Sequence, residues 1–188
     1  QMTDIAARAM PGHLQVQHPL YEEEPRLEHT VDALDARNRL IETNKFSFVS
    51  ARLQSSAIFS GDEKSSAGMV MGIEPDIEAQ WNNIASSVVE GRYLSASGEL
   101  VIGEILARNL GAQLGDNLVI LGTAKQGGIA AHAGRVVGIF ASGAAEADRS
   151  LVQIPVADFR QAWSMGSREA HMVVGVSDKL RQSEEGFR

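Results

Sequence analysis

At 188 residues and 20.2 kDa, the chain is long enough for one good core or for two small lobes that share one. Its 44% hydrophobic content excludes wholesale disorder, and a net charge of −7 argues against nucleic acid or an anionic membrane surface as the main partner. The absence of cysteine excludes disulfides and thiolate metal sites, and with aromatics at 5% the core falls to Val, Ile, Leu, Ala and Met. No apolar run approaches the roughly 20 residues of a membrane span, and no signal peptide is visible. The chain begins Gln1-Met2 and reads as a piece excised from something longer.

Residues 3–10 read as a short helix stopped by Pro11-Gly12. Residues 13–18 alternate, with Leu14 and Val16 on one face and His13, Gln15 and Gln17 on the other, the pattern of a half-exposed strand. An acidic loop follows over residues 19–28. From Thr30 as N-cap, Val31, Leu34 and Ile41 recur at helical spacing with Leu40 beside them. Residues 46–60 form a long β-type run, and Gly61-Asp62 begins the connection to residues 67–73, so the two runs pair as an antiparallel hairpin. Pro75-Asp76 opens a helix whose apolar stripe is Ile77, Trp81, Ile84 and Val88, and Gly91 ends it.

The clearest β signal lies in residues 99–140. Three apolar runs, 100–102, 118–121 and 135–140, are bounded by glycines as short buried strands are. Between the first two, residues 104–110 form a helical turn with Glu104 and Arg108 as an i,i+4 pair. Gly111 closes that turn with positive φ, and Gly115-Asp116 leads into the next strand. Residues 122–134, GTAKQGGIAAHAG, read as a flexible linker, and residues 141–149 are small and polar. A strand over 151–155, a helix over 156–165 and a strand over 171–176 complete the pattern, followed by a charged tail over 179–188.

This order predicts an α+β fold of two lobes. Residues 12–75 and 148–178 form a βαβ-type sheet-and-helix lobe, and residues 76–147 form an inserted β-rich lobe. Residues 1–11 and 179–188 are extensions at the two ends of the first lobe.

The sequence offers little chemistry. Among the five histidines, His13 and His18 fall on opposite faces of a strand. His29 with Glu28 and Glu24 makes a candidate oxygen–nitrogen metal set, against the plainer reading of a solvated loop. No Gly-x-Ser-x-Gly elbow, phosphate loop or dinucleotide fingerprint can be written from the glycines and serines. Asp148-Arg149 reads as a surface ion pair, and Trp81 and Trp163 as core residues. No catalytic, cofactor-binding or metal-binding residue is assigned.

A series of short motifs nevertheless carries a resemblance. In order they are Gly12-His13-Leu14-Gln15-Val16-Gln17-His18-Pro19, Met71-Gly72-Ile73-Glu74-Pro75 and Val89-Glu90-Gly91-Arg92-Tyr93-Leu94. Then come Val101-Ile102-Gly103-Glu104, Leu114-Gly115-Asp116, Val136-Val137-Gly138-Ile139-Phe140 and Leu151-Val152-Gln153-Ile154-Pro155. Over residues 12–178 the chain resembles the periplasmic core domain of ABC-transporter permeases of the lipoprotein-releasing and macrolide-exporter type, the FtsX-like permeases. The resemblance implies a domain inserted between the first and second membrane helices of a four-helix permease in a bacterial inner membrane. Residues 1–11 and 179–188 would then lead to those helices. It implies two subdomains, no catalytic residue and no cofactor. A cytoplasmic ATPase subunit drives the membrane part, whose motion reaches the periplasmic domain for release or export of a lipoprotein or other substrate. The implied partners are that ATPase, a second permease subunit, a periplasmic carrier or adaptor protein and lipoprotein cargo, with no nucleic acid. Two other readings stand beside this one: a free-standing extracytoplasmic module that binds peptide or lipid, and a small hydrolase with an unrecognised site. For the partner contact, the sequence nominates the glycine-rich loop Gln126, Gly127, Gly128, Ile129, Ala130 and Ala131, weighed against an ordinary hairpin tip.

Overall fold

The computed structural model describes residues 6–10 and 13–177. The first segment is a strand, β1 (Ala6–Met10), and not a helix; it lies antiparallel to β2 (His13–Gln17) with Met10 opposite His13. So short a helix is marginal alone, whereas the neighbouring strand supplies every residue with a ladder partner. After the acidic loop, Val31–Asp32 forms the short β3 and Ala33–Glu42 the helix α1. The N-cap is Asp32, two residues later than Thr30, because its carboxylate accepts the Asp35 N–H at 2.9 Å. Ala33, Ala36 and Leu40 are buried while Leu34 and Ile41 are exposed, so the apolar stripe read through Leu34 and Ile41 is not the buried face.

The long β run becomes β4 (Phe48–Ser60), which pairs antiparallel with β5 (Ser65–Ile73) as the turn signal predicts. The helix read over residues 76–91 is instead two single turns, α2 (Pro75–Glu78) and α3 (Asn83–Ser86), followed by strand β6 (Val88–Gly91). The break is local: Asn82 accepts the Ile84 N–H at 2.8 Å and starts a new helix, while its amide donates to the buried Glu78 carboxylate at 2.5 Å.

The central stretch matches its pattern: β7 (Glu99–Gly103), α4 (Glu104–Leu110), β8 (Asn117–Thr123) and β9 (Ile129–Phe140). Gly111 ends α4 at φ 70°, and Arg108 reaches Glu104 at 3.8 Å. The small, polar residues after β9 fold into α5 (Ala145–Ser150), and β10 (Leu151–Pro155), α6 (Val156–Trp163), β11 (Glu169–Ala170) and β12 (Met172–Val176) complete the chain. The charged tail over 179–188 lies outside the described residues.

The chain divides into two compact units, and the second is inserted into the first. The first, ending at Arg52 and resuming at Arg168, is a sheet in the order β1-β2-β12-β4, all antiparallel, with α1 packed through Val16, Ala33, Leu40, Val49 and Val173. The insertion runs from Leu53 to Ser167, wider than the 76–147 read from the sequence. The reason is pairing: β5 takes β10 as a parallel neighbour, which draws the hairpin and residues 148–167 into the inserted unit.

Within that unit the strands close on themselves. β4 pairs β5, β5 pairs β10, β10 pairs β7, β7 pairs β9, β9 pairs β8, and β8 returns to β4. Such closure leaves no free edge within the ring. One set of alternate residues fills its interior: Phe59, Val70, Leu100, Ile102, Leu118, Ile120, Val152 and Ile154 are buried. α6 packs against this core with Phe159 and Trp163, whose rings stack at 4.5 Å. Gly72 and Gly122 admit them; a Cβ on Gly72 would lie 2.6 Å from Phe159, and one on Gly122 3.0 Å from the Trp163 indole.

Candidate functional site

Alternation that buries one face of a ring strand turns the other face outward. On β5, β10 and β7 the outward residues meet a second apolar cluster, in which Ile73, Val101 and Phe140 pack with Ile84 and Leu94. On β4, β8 and the first part of β9, Ile129 to Arg135, the outward residues meet solvent. Ile58 lies opposite Leu121, Val119 opposite Ala133, Leu121 opposite Ala131, and Thr123 opposite Ile129. Ala67 and Met69 of β5 continue this wall beside Ile58 and Ser56. Ile58 is 50% and Ile129 82% exposed. None of these wall residues ionises; the nearest charge in register is Arg135, opposite Asn117 at the far end of the β8–β9 hairpin. On a chain of net charge −7, an exposed apolar wall without a carboxylate is the feature that stands out.

The nominated loop divides at the tip of this wall. Residues 122–134 are not a linker, because Gly122 and Thr123 end β8 and Ile129 begins β9, leaving residues 124–128 as the turn. Gln126, Gly127 and Gly128 are exposed in that turn, with Gly127 and Gly128 at φ 82° and 85°. Ile129 and Ala131 point outward on β9, whereas Ala130 points inward and is fully buried. Low strand propensity in Ala and Gly hides this arm in the sequence. The signal that could have found it is the alternation of Ala130, His132 and Gly134 against Ile129, Ala131 and Ala133 around a Gly-Gly turn.

Behind the wall sits a buried polar cluster. Asp158 of α6 accepts the Ser97 hydroxyl at 2.6 Å and the Gly98 N–H at 2.8 Å, and the His132 Nε2 lies 3.8 Å from its carboxylate. Burial pushes the His132 pKa down and outweighs the upward pull of Asp158. Ser97 donates to the carboxylate rather than to the imidazole, so this is not the ordering of a nucleophilic triad. Glu99, which accepts both guanidinium nitrogens of Arg92 and the Ser95 and Ala96 amides, has its pKa lowered to about 2, chiefly by Arg92.

Other candidates resolve into structural roles. Asp148 is buried and does not form the expected surface pair; it accepts from the Ser142 hydroxyl at 2.6 Å and the Ser142 and Gly143 amides at 2.8 and 3.2 Å. Burial alone would raise its pKa, but these hydrogen bonds prevail and lower it. Trp163 is core, and Trp81 is half-buried. His29 donates from Nδ1 to the Glu24 carbonyl at 2.7 Å and stacks on His18 at 5.0 Å, while the Glu24 carboxylate pairs with Arg26 at 3.1 Å. Among the described residues no group of three or more His, Asp or Glu side chains is arranged to hold a metal. Nor is any helix among them long and apolar enough to cross a membrane.

Comparison with known proteins places this architecture. Residues 4–184 match the family model of the MacB-like periplasmic core domain, and the chain belongs to that family. It is the periplasmic or extracellular domain of an ABC-type transporter permease, and the family is not a known catalytic domain. The fold is similar to that of the periplasmic region of MacB from Actinobacillus actinomycetemcomitans, with a TM-score of 0.64 at 15% identity, over 93% of this chain and 80% of that one. It is also similar to the extracellular domain of the noncanonic ABC-type transporter YknZ from Gram-positive bacteria, with a TM-score of 0.61 at 14% identity, over 83% of this chain and 78% of that one. No match was found among curated proteins.

Proposed function

We propose that the domain couples membrane-helix motion, driven by a cytoplasmic ATPase subunit, to release or export of a lipoprotein or other substrate, and that the outward wall of β4, β8 and β9 with its hairpin tip is where a protein partner docks. The carrying observation is the wall itself: exposed Ile58, Val119, Leu121 and Ile129, with no ionisable side chain among them. A surface of that chemistry suits an apolar face on a periplasmic carrier, an adaptor or the cargo protein. A second permease subunit completes the transporter. Deleting residues 126–131 is a poor test, since it would remove the buried Ala130 along with the turn. Leu121→Lys combined with Ile129→Lys in the full transporter is cleaner. Folding stability should change by no more than about 0.5 kcal/mol per site, while release or export falls. Unchanged transport with both lysines in place would put the partner surface elsewhere.

A further inference from the structure

We propose that residues 129–133 of β9 bind an extended segment of the protein partner as an added β-strand. This rests on the docking role given above to the wall, and it names the conformation the partner takes there. The ring closes on β9 only from Arg135 onward, where β7 begins to pair with it, so residues 129–133 run past the closure with β8 on one side. The direction of each peptide group on this arm follows from its two ends. At one end the Val136 N–H donates to the Asp116 carbonyl at 2.8 Å, on the β8 side, and the Arg135 N–H donates the opposite way, to the Gly98 carbonyl at 2.8 Å. At the other end the Gly128 carbonyl accepts the Ala124 N–H at 3.1 Å across the turn. Even-numbered residues therefore face β8, and the N–H and C=O groups of Ile129, Ala131 and Ala133 face away from it. None of these groups has a hydrogen-bond partner among the described residues.

Donor–acceptor pairs repeating at every second residue are the template for a further strand. The usual guards of such an edge are missing. Residues 129–133 read Ile-Ala-Ala-His-Ala, without proline, lysine or a carboxylate, and their register with β8 has no bulge. Ile129, Ala131 and Ala133 also border the exposed wall, so an added strand sets alternate side chains flush with it, and apolar residues suit those positions. A second copy of the chain is the poorer occupant. An edge about 14 Å long does not bury the roughly 800 Å² per partner of a stable dimer, and two copies would bring net charges of −7 together.

Amide hydrogen exchange on the chain tests this, with a capped heptapeptide of alternating valine and threonine as the probe. At a peptide concentration about twice its Kd, the Ala131 and Ala133 amides should exchange roughly threefold more slowly. The Ala130 and His132 amides, already in the β8 ladder, should keep their rates. The same peptide N-methylated at every residue keeps its side chains, loses its donors and should give no protection. Absence of saturable binding, equal protection by the methylated peptide, or self-association of the chain that protects these amides overturns the proposal. In the full transporter, Ala131→Pro removes one donor from the free edge alone, a place where a strand tolerates proline. Its melting temperature should hold while release or export falls. Transport lost in the double-lysine wall variant but unchanged in Ala131→Pro keeps the wall and sinks the added strand, whereas transport unchanged in both removes the docking surface itself. If Ala131→Pro does not fold, Ala133→Pro is read in the same way.

Discussion

The outer surface of the ring is treated in two opposite ways. On the β5–β10–β7 side, outward residues Ile73 and Val101 continue into a second core closed by α3, Leu94 and Phe140. On the β4–β8–β9 side, residues of the same type, Ile58, Val119 and Leu121, are left bare. Both sides obey the same two-residue period, so local pattern does not distinguish them. What differs is the intervening chain: residues 74–98 fold over one side, and nothing in residues 124–128 is long enough to fold over the other. An apolar outward residue therefore contributes to stability on one side and is available for contact on the other.

The largest test of this contrast is Phe140→Ala on the covered side. Removing a fully buried phenylalanine there should destabilise the protein by about 3–5 kcal/mol in urea unfolding. A loss below about 1 kcal/mol would show that the second cluster is not a true core. Gly138→Ala comes next. A Cβ at this position would lie 2.2 Å from the Arg92 carbonyl oxygen, which is backbone and must move as a unit. The expected cost is about 1–3 kcal/mol.

His132, facing inward behind the bare side, sharpens the comparison through pH. Its folded pKa lies below the ordinary imidazole value, so the unfolded chain binds the proton more readily. The stability this provides is complete above the unfolded value of about 6.5 and is lost as pH falls through the folded one. His132→Gln should flatten the stability profile in that window, read as melting temperature against pH. A profile identical to the parent would remove His132 from the account. Glu99 acts in a separate, more acidic range. With its pKa lowered to about 2, its contribution is present above the ordinary value and is lost as pH falls towards 2. The smallest effect is expected on the bare wall, where Ile58→Ser should shift the unfolding midpoint by no more than about 0.5 kcal/mol. A larger loss would mean that the wall is part of the fold.

Elements with strong short-range signals were legible in the sequence. The β4–β5 hairpin, the run from β7 through α4 to β8, and the αL glycine after α4 follow from β-branched runs, turn residues and one glycine. The two-lobe α+β plan was legible as well. Three things were not. Residues 6–10 take strand form only because β2 lies beside them. The single helix expected over 76–91 breaks at Asn82, whose side chain can equally continue a polar helix face or cap a new one. The inserted unit is wider than its strand pattern because parallel pairing of β5 with β10 joins segments some 80 residues apart, information that no local window holds. The candidate surface was half legible: the exposed tip carries Gln126, Gly127, Gly128 and Ile129, but the wall it belongs to exists only once β4 and β8 are brought together.

β4 belongs to both units. Its first five residues, Phe48 to Arg52, pair with β12, and the rest pair with β5. The strand is therefore held by two separate ladders, and amide exchange along it should report two local stabilities, one over Phe48 to Arg52 and one from Leu53 to Ser60.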